Sequence, residues 1–275
     1  NIFIDILIIR KQRTNEKEHF SAFRGVHNMI YAMSDIHGHY EAMKKRMEQM
    51  RPLLQKGNSR LILLGDYIDR GDKSYQCLKL AYDLEQEFGS DKVIVLKGNH
   101  EVWFEEFLFK NEDVWLDEDG DFFTTGSFLT KEQLKKMELK PDRETRIVYV
   151  KTCIKSNHKN LLSWMRMLRL YYETETQIFV HAGVDETIPA EEVEWCTLGT
   201  PDYVMTGKFP PSIGHFIKTL LQDMSLHLWL LEIKGFKVFT LMEKAIFISM
   251  VLSHIEKGCC VWRMMKKQKN IMNTV

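Results

Sequence analysis

The segment Gly65-Asp66-Tyr67-Ile68-Asp69-Arg70-Gly71 directly follows a short apolar run, Arg60-Leu-Ile-Leu-Leu64, which predicts a buried strand. Similar runs lie on either side of it in the chain, Met29-Ile-Tyr-Ala-Met33 before it and Lys92-Val-Ile-Val-Leu96 after it. Two stretches rich in helix formers separate the runs: residues 40–50 and 74–88. Strands that alternate with helices indicate βαβ units with right-handed crossovers, so the sequence predicts an α/β fold.

Polar residues follow each predicted strand at its carboxyl end, which is where open α/β sheets place their functional sites. A further apolar run, Gln177-Ile-Phe-Val180, behaves in the same way. The clusters are Asp35-Ile36-His37-Gly38, Gly65 to Gly71, Gly98-Asn99-His100-Glu101 and His181-Ala182-Gly183. Each cluster alone has an ordinary explanation as a turn, a loop start, a helix cap or a core histidine. Their succession after consecutive strands favours one shared site.

The residue types in these clusters suit metal binding. Asp, His and Asn are ligands for Mn, Fe, Zn or Mg rather than for copper or iron–sulfur centres. Asp35 and His37 can offer two ligands from one turn, and Asp66 from the neighbouring strand can bridge two ions. Two ions about 3.5–4 Å apart can hold a hydroxide and clamp the entering and leaving oxygens of an in-line displacement. Glycines beside the ligands allow the backbone and a phosphate to approach closely.

Three of the clusters together resemble the signature blocks of one family. Asp35-x-His37-Gly38, Gly65-Asp66-x-x-Asp69-Arg70-Gly71 and Gly98-Asn99-His100-Glu101 are similar to those of calcineurin-like metallophosphoesterases. The complete second block favours the serine/threonine phosphoprotein phosphatase branch, and Phe179-Val-His-Ala-Gly-Val184 favours a bacterial member. The resemblance covers about residues 29–214. It implies an αββα sandwich of mixed sheets with flanking helices.

The resemblance also implies roles for individual residues. The implied metal ligands are Asp35, His37 and Asp66 for one divalent ion, and Asp66, Asn99 and His181 for the other. Arg70 would bind the phosphate oxygens, because its planar guanidinium matches phosphate. His100 would protonate the leaving oxygen, with Asp69 orienting it, which suits a histidine near neutral pH. Mn²⁺ is the expected metal, with Fe, Zn and Mg as alternatives.

The function implied is hydrolysis of phosphoesters by a metal-bridging hydroxide that attacks phosphorus in line. A serine/threonine-type protein phosphatase is the main interpretation, so the expected substrate is a phosphorylated protein or a small phosphoester. Two alternatives stay open. One is a symmetrical dinucleoside tetraphosphate hydrolase, which shares these blocks, and the other is an inactive fragment of such an enzyme.

Composition and charge narrow the possible partners and the cellular location. The 275 residues carry 38 basic and 38 acidic side chains, so nothing points to nucleic acid or a membrane as a partner. The 5 cysteines have no zinc-site spacing, and no secretory signal is apparent, which together predict reduced thiols in the cytoplasm. The apolar stretch 226–252 is interrupted by charges, which argues against a membrane span.

The predicted phosphoesterase domain spans residues 29–216, with a helical insert at about 101–170. The family supplies one further ligand from a late Gly-His turn, but Gly214-His215 follows no apolar strand. Regrouping synonymous codons downstream restores a strand, a Gly-His pair and an alternating aromatic pattern. We therefore expect residues 217–275 to be a frameshifted tail in which the C-terminal strands are lost, the alternative being a divergent helix. Residues 1–28 are expected to be an upstream extension, because Asn1 is not an initiator and the family-like chain begins at Met29.

Overall fold

The computed structural model describes residues 7–10, 29–57, 59–110, 112–118, 122–175, 177–185, 199–208, 212 and 219–221. All of them lie in the first of the two units into which the chain divides, Asn1–Lys237 and Val238–Val275. The strands are β1 (Leu7–Arg10), β2 (Met29–Met33), β3 (Arg60–Leu63), β4 (Val93–Val95), β5 (Tyr171–Glu173), β6 (Gln177–Val180) and β7 (Thr219–Leu221). The helices are α1 (Tyr40–Lys56), α2 (Ser74–Phe88), α3 (Asn99–Lys110), α4 (Val114–Glu118), α5 (Phe123–Gly126), α6 (Lys131–Glu138), α7 (Arg143–Asn157), α8 (Lys159–Arg166) and α9 (Asp202–Gly207).

The first sheet contains four strands in the order β1-β2-β3-β4. Strands β2, β3 and β4 are parallel and joined by α1 and α2, which confirms the predicted α/β fold class. Strand β1 pairs antiparallel with β2, with Leu7 opposite Ala32. The three parallel strands therefore end at the same edge of the sheet, and the loops that follow them start side by side.

The second sheet contains β5, β6 and β7 in that order. Strand β5 runs antiparallel to β6, whereas β7 runs parallel to it, so this sheet is mixed, as the resemblance implied. An isolated bridge between Leu96 and Arg169 links the chain after β4 to the chain before β5. His181 follows β6 directly and so starts from the second sheet.

Alternating side chains of the first sheet face two different layers. On β3, Leu61 and Leu63 join a large core with the helices, whereas Ile62, and Leu64 just after the strand, face the other way. The second group packs with Phe179 of β6, which places apolar side chains between the two sheets. This period of two, with both faces buried, explains why the strand sequences are almost wholly apolar.

The other face of the second sheet is covered in turn. Ile178 and Val180 of β6 pack against Met205 of α9. The layers therefore run helices, sheet, sheet and helix, which agrees with the αββα sandwich implied by the resemblance. None of the helices in the described part of the chain is long and apolar enough to cross a bilayer.

Six helices, α3 to α8, lie within residues 99–166. The expectation of a helical insert at about 101–170 stays a prediction. Helix α3 follows β4 in the chain after a short loop, and Asn99, His100 and Glu101 form its first turn. Thr130 caps α6 by accepting from the backbone N–H of Gln133, whose side chain returns a hydrogen bond to the Thr130 N–H. We use the term insert helices for α4 to α8.

The expectations for the two ends of the chain stay predictions. Most of residues 1–28 and 217–275 lies outside the described residues. Within those ranges the structure describes β1, at one edge of the first sheet, and β7, at one edge of the second. Gly214-His215, the pair considered for the late metal ligand, also lies outside the described residues.

Candidate metal and phosphate site

The loops that follow β2 and β3 are joined through their backbones. The N–H of His37 donates to the carbonyl of Asp66 over 2.8 Å, and the N–H of Gly38 donates to the carbonyl of Tyr67 over 2.8 Å. The loops come so close that a Cβ added to Gly71 would lie 2.4 Å from the His37 carbonyl oxygen. The glycine is therefore required for close backbone approach, as the sequence suggested.

Left-handed backbone conformations concentrate in these loops. Among the described residues, 6 that are not glycine have a positive φ angle. Five of them are predicted site residues: Asp35, His37, Asp66, Asp69 and Arg70. Such conformations cost free energy and persist where surrounding structure enforces them, often at functional sites.

Two histidines and an aspartate form a compact group that could hold a metal ion. The ligand atoms of His37, Asp66 and His100 lie within 4.8 Å of one another. Nε2 of His37 lies 3.6 Å from Oδ2 of Asp66 and 3.4 Å from Oδ1 of Asp35. Nε2 of His100 lies 3.7 Å from the same Asp66 oxygen. The predicted ligands Asp35, His37 and Asp66 are thus adjacent, and His100 faces the same point.

The tautomer of His37 is fixed by a backbone carbonyl. Its Nδ1 donates to the carbonyl oxygen of Ile68 over 2.9 Å, so a neutral ring carries a lone pair on Nε2. That Nε2 atom is buried and has no hydrogen-bond partner among the described residues. A buried acceptor without a donor, facing carboxylate oxygens, is the arrangement that a cation would complete.

The other predicted ligands meet on the opposite side of Asp66. Nδ1 of His181 donates to the carbonyl of Leu64 over 3.0 Å, which leaves Nε2 as an acceptor in the neutral ring. Nε2 lies 3.0 Å from the side-chain oxygen of Asn99 and 3.5 Å from Oδ1 of Asp66. Asp66 therefore has one carboxylate oxygen towards His37 and the other towards His181.

His100 is held by a second carboxylate. Its Nδ1 donates to Oδ2 of Asp69, and both side chains are buried. Burial lowers the pKa of His100, but the hydrogen bond to Asp69 and the charge of Asp66 raise it, and the net direction is upward. The pair thus favours a protonated imidazole whose free Nε2 points at the group formed by His37 and Asp66.

Arg70 is the one predicted site residue that is exposed. Its backbone lies in the same strained loop as Asp69, and its side chain makes no hydrogen bond or ion pair with the described residues. The guanidinium is therefore accessible to a ligand.

Glu101 is a functional position that the sequence analysis quoted without assigning a role. Its side chain is fully buried, and Oε2 accepts from the N–H groups of Asp66 and Gly98 over 2.9 Å and 3.0 Å. Oε1 accepts from the N–H of Tyr67 over 2.8 Å. One carboxylate thus ties the loop after β3 to the loop after β4. Its place in the block Gly98-Asn99-His100-Glu101 was the available signal.

Two side chains from the insert helices also reach the site, and no sequence pattern pointed to them. Nε1 of Trp115 donates to Oδ2 of Asp69 over 2.8 Å, and Oγ1 of Thr124 donates to Oδ1 over 2.6 Å. Neither residue belongs to a quoted block. Their approach depends on how α4 and α5 pack, which local patterns do not encode.

Comparison with known proteins finds one matching family model and several similar proteins. Residues 29–207, more than half of the chain, match the family model described as calcineurin-like phosphoesterase. Serine/threonine-protein phosphatase 2B catalytic subunit A2 of Saccharomyces cerevisiae is 38% identical over 85 residues, 30% of this chain and 13% of that protein. Serine/threonine-protein phosphatase 2 of Escherichia coli is 35% identical over 97 residues, 34% of this chain and 39% of that protein.

A third relative acts on a different substrate by its name. The symmetrical bis(5'-nucleosyl)-tetraphosphatase of Pseudomonas syringae is 27% identical over 157 residues, 56% of this chain and 40% of that protein. The similar regions thus span 40% or less of the length of these three relatives.

Proposed function

The chain belongs to the calcineurin-like phosphoesterase family, and we propose on that premise that it hydrolyses phosphoesters, with phosphorylated serine or threonine in proteins as its substrate class. The observation that carries this proposal is the arrangement around Asp66. Its two carboxylate oxygens lie between His37 on one side and His181 on the other, at 3.6 Å and 3.5 Å. A carboxylate between two separate nitrogen ligands suits a bridge between two cations.

The donor set fits a pair of divalent cations. The proposed ligands are Asp35, His37 and Asp66 for one ion and Asp66, Asn99 and His181 for the other. The buried Nε2 of His37, which has no hydrogen-bond donor among the described residues, is the observation that supports this fit. When bound, such ions supply Lewis-acid polarisation of the phosphoryl group and an attacking water at neutral pH. Oxygen and imidazole ligands agree with Mn²⁺, which we propose as the metal.

The chain's own residues then bind the substrate and supply the proton. The exposed Arg70 can form two parallel hydrogen bonds to phosphate oxygens. His100 can donate its Nε2 proton to the leaving oxygen, because Asp69 holds Nδ1 and keeps the other nitrogen directed at the centre. Glu101 keeps the loops after β3 and β4 together while this occurs.

The proposed protein substrate rests on similarity to serine/threonine phosphatases over 85 and 97 residues. A location in the cytoplasm and a functional domain bounded by residues 29–216 belong to the same proposal. Residues 1–28 are then an upstream extension and residues 217–275 a frameshifted tail, although β1 and β7 pair with the edges of the two sheets.

Three substrates and one variant test the proposal. Turnover with Mn²⁺ is measured for an aryl phosphate, a phosphoserine peptide and a symmetrical dinucleoside tetraphosphate. We expect the aryl phosphate and the peptide to be hydrolysed, and Asp66→Asn to lose both turnover and paired metal binding. Asp72→Asn, an exposed aspartate of the same loop, serves as the matched control. Faster turnover of the dinucleotide would reassign the substrate, and no turnover of any of the three by folded, metal-loaded protein would overturn the proposal.

A further inference from the structure

The carboxylate of Asp69 is surrounded by donors from three separate elements. Oδ2 accepts from His100 of α3 and from Nε1 of Trp115 in α4, the latter over 2.8 Å. Oδ1 accepts from Oγ1 of Thr124 in α5 over 2.6 Å. Asp69 itself is only 6% exposed. These bonds to both oxygens fix the plane of the carboxylate, since any rotation about its last torsion would break at least one of them.

The backbone of Asp69 is held by the same neighbourhood. Its N–H donates to Oγ of Ser74 over 3.0 Å, and that hydroxyl lies 3.4 Å from Oγ1 of Thr124. The φ angle of Asp69 is +72°, a left-handed conformation that is uncommon for a residue other than glycine. The network therefore constrains both the backbone and the side chain of this residue.

Trp115 is connected to the other partner of the pair as well. Its ring packs on Phe104 and Phe107 of α3, with ring centroids 5.4 Å apart in each case. Helix α3 is the element that carries His100. One indole thus bonds the carboxylate and packs against the helix that carries the histidine.

From this geometry we propose that Trp115 and Thr124 are positioning residues that orient Asp69 and, through it, His100. The insert helices would then act on proton donation to the leaving oxygen without touching the substrate. The kinetic part of this inference rests on the proposed function, whereas the orientation of His100 does not. The role differs from that of a core residue because it depends on one donor atom in each side chain.

Substitutions at the two donor side chains test this role. Thr124→Val keeps the shape and removes the hydroxyl, and Thr124→Ser restores it. Trp115→Phe removes the indole N–H together with one ring, so it needs a control for ring loss. The neighbouring Thr125 is a matched control, because it is equally buried and its hydroxyl makes no hydrogen bond with the described residues. Trp164→Phe is the control for indole removal, since Trp164 donates to Glu85 away from the site.

The first measurement is NMR of the full chain with ¹⁵N-labelled histidine, before any metal is added. The hydrogen-bonded ring proton of His100 is assigned by its absence in His100→Asn. We expect this signal to shift or disappear in Thr124→Val and Trp115→Phe, to return in Thr124→Ser, and to persist in Thr125→Val and Trp164→Phe. An unchanged signal in both donor variants, or equal changes in the controls, would overturn the inference.

The second measurement compares two leaving groups. Proton donation matters most for a poor leaving group. In Thr124→Val and Trp115→Phe we therefore expect kcat for an alkyl phosphate to fall about 10- to 100-fold, the effect typical of groups that orient functional histidines. The loss for an aryl phosphate should be smaller, with KM little changed in both cases. Equal losses for the two esters, or a change in KM alone, would count against the role. If the parent chain hydrolyses neither ester, the proposed function fails while the NMR comparison still decides the positioning.

Discussion

The site is built by two regions that contribute in different ways. The loops after β2, β3 and β4 are tied together backbone to backbone and by the carboxylate of Glu101. The insert helices reach the site only through the side chains of Trp115 and Thr124, as far as the described residues extend. The first region therefore fixes where the proposed ligands stand, and the second fixes how one carboxylate is turned. Substitutions in the first region should therefore disrupt the proposed metal site, whereas substitutions in the second should alter the orientation of Asp69 and leave that site in place.

The largest expected effect comes from crowding the loop junction. A Cβ on Gly98 would lie 2.2 Å from Oδ1 and 2.6 Å from the backbone N of Asp66. Gly98→Ala must therefore displace the proposed bridging carboxylate. A misplaced active-site group costs on the order of 100-fold in rate. Overpacking should also lower the free energy of unfolding by about 1–3 kcal/mol. Manganese content, turnover and urea unfolding provide the measurements.

Gly207→Ala is the control for that variant, because a Cβ there would meet no atom within 4 Å. It should match the parent protein in all three measurements. A Gly98→Ala protein with normal metal content and turnover would mean that the loop junction is not rigid, and the contrast between the two regions would be lost.

A smaller effect is expected when the loop clamp is weakened without crowding. Glu101→Gln replaces one acceptor oxygen by an amide NH₂, so at least one of the buried N–H groups of Asp66, Tyr67 and Gly98 loses its partner. An unsatisfied buried donor costs roughly 1–3 kcal/mol. Urea unfolding should report that loss, and turnover should fall less than in Gly98→Ala because no atom is forced aside.

Glu106→Gln on the same helix provides the comparison. Glu106 pairs with Lys110 over 3.2 Å at the surface, and such exposed pairs contribute about 0.5 kcal/mol or less. Equal destabilisation by the two substitutions would show that Glu101 does not act as a clamp.

The same contrast explains what the sequence could predict. The strand-end clusters are contiguous in sequence, and parallel strands bring their carboxyl ends together, so the sequence alone could place Asp35, His37, Asp66 and Asn99 beside one another. His181 could be added because it follows another apolar run. The proximity of the first four required only the topology of one sheet, whereas that of His181 also required the two sheets to pack face to face.

The remainder of the site depends on packing that no local pattern encodes. Thr124 and Thr125 are adjacent, identical and equally buried, yet only Thr124 bonds Asp69. Trp115 has the sequence context of an ordinary core aromatic, which it also is. The roles of Thr124 and Trp115 depend on the angle at which short helices meet α3, and that angle is a property of the whole core.

The smallest effect concerns the two buried free thiols of the described residues, one in each of the two regions. Cys77 lies on α2, the helix that follows the loop after β3, and Cys153 lies on α7, one of the insert helices. Burial raises the pKa of the Cys77 thiol to about 12, which keeps it protonated at pH 8 and lowers its thiolate fraction about 1,000-fold relative to an ordinary cysteine. Because unfolding restores the ordinary pKa, the free energy of unfolding should also fall as pH rises above about 9.

In single-cysteine variants, with serine at the other positions, we expect iodoacetamide at pH 8 to modify Cys153 before Cys77. Equal rates would mean that both regions open in one cooperative step, so that the insert could not be loosened without loosening the loops.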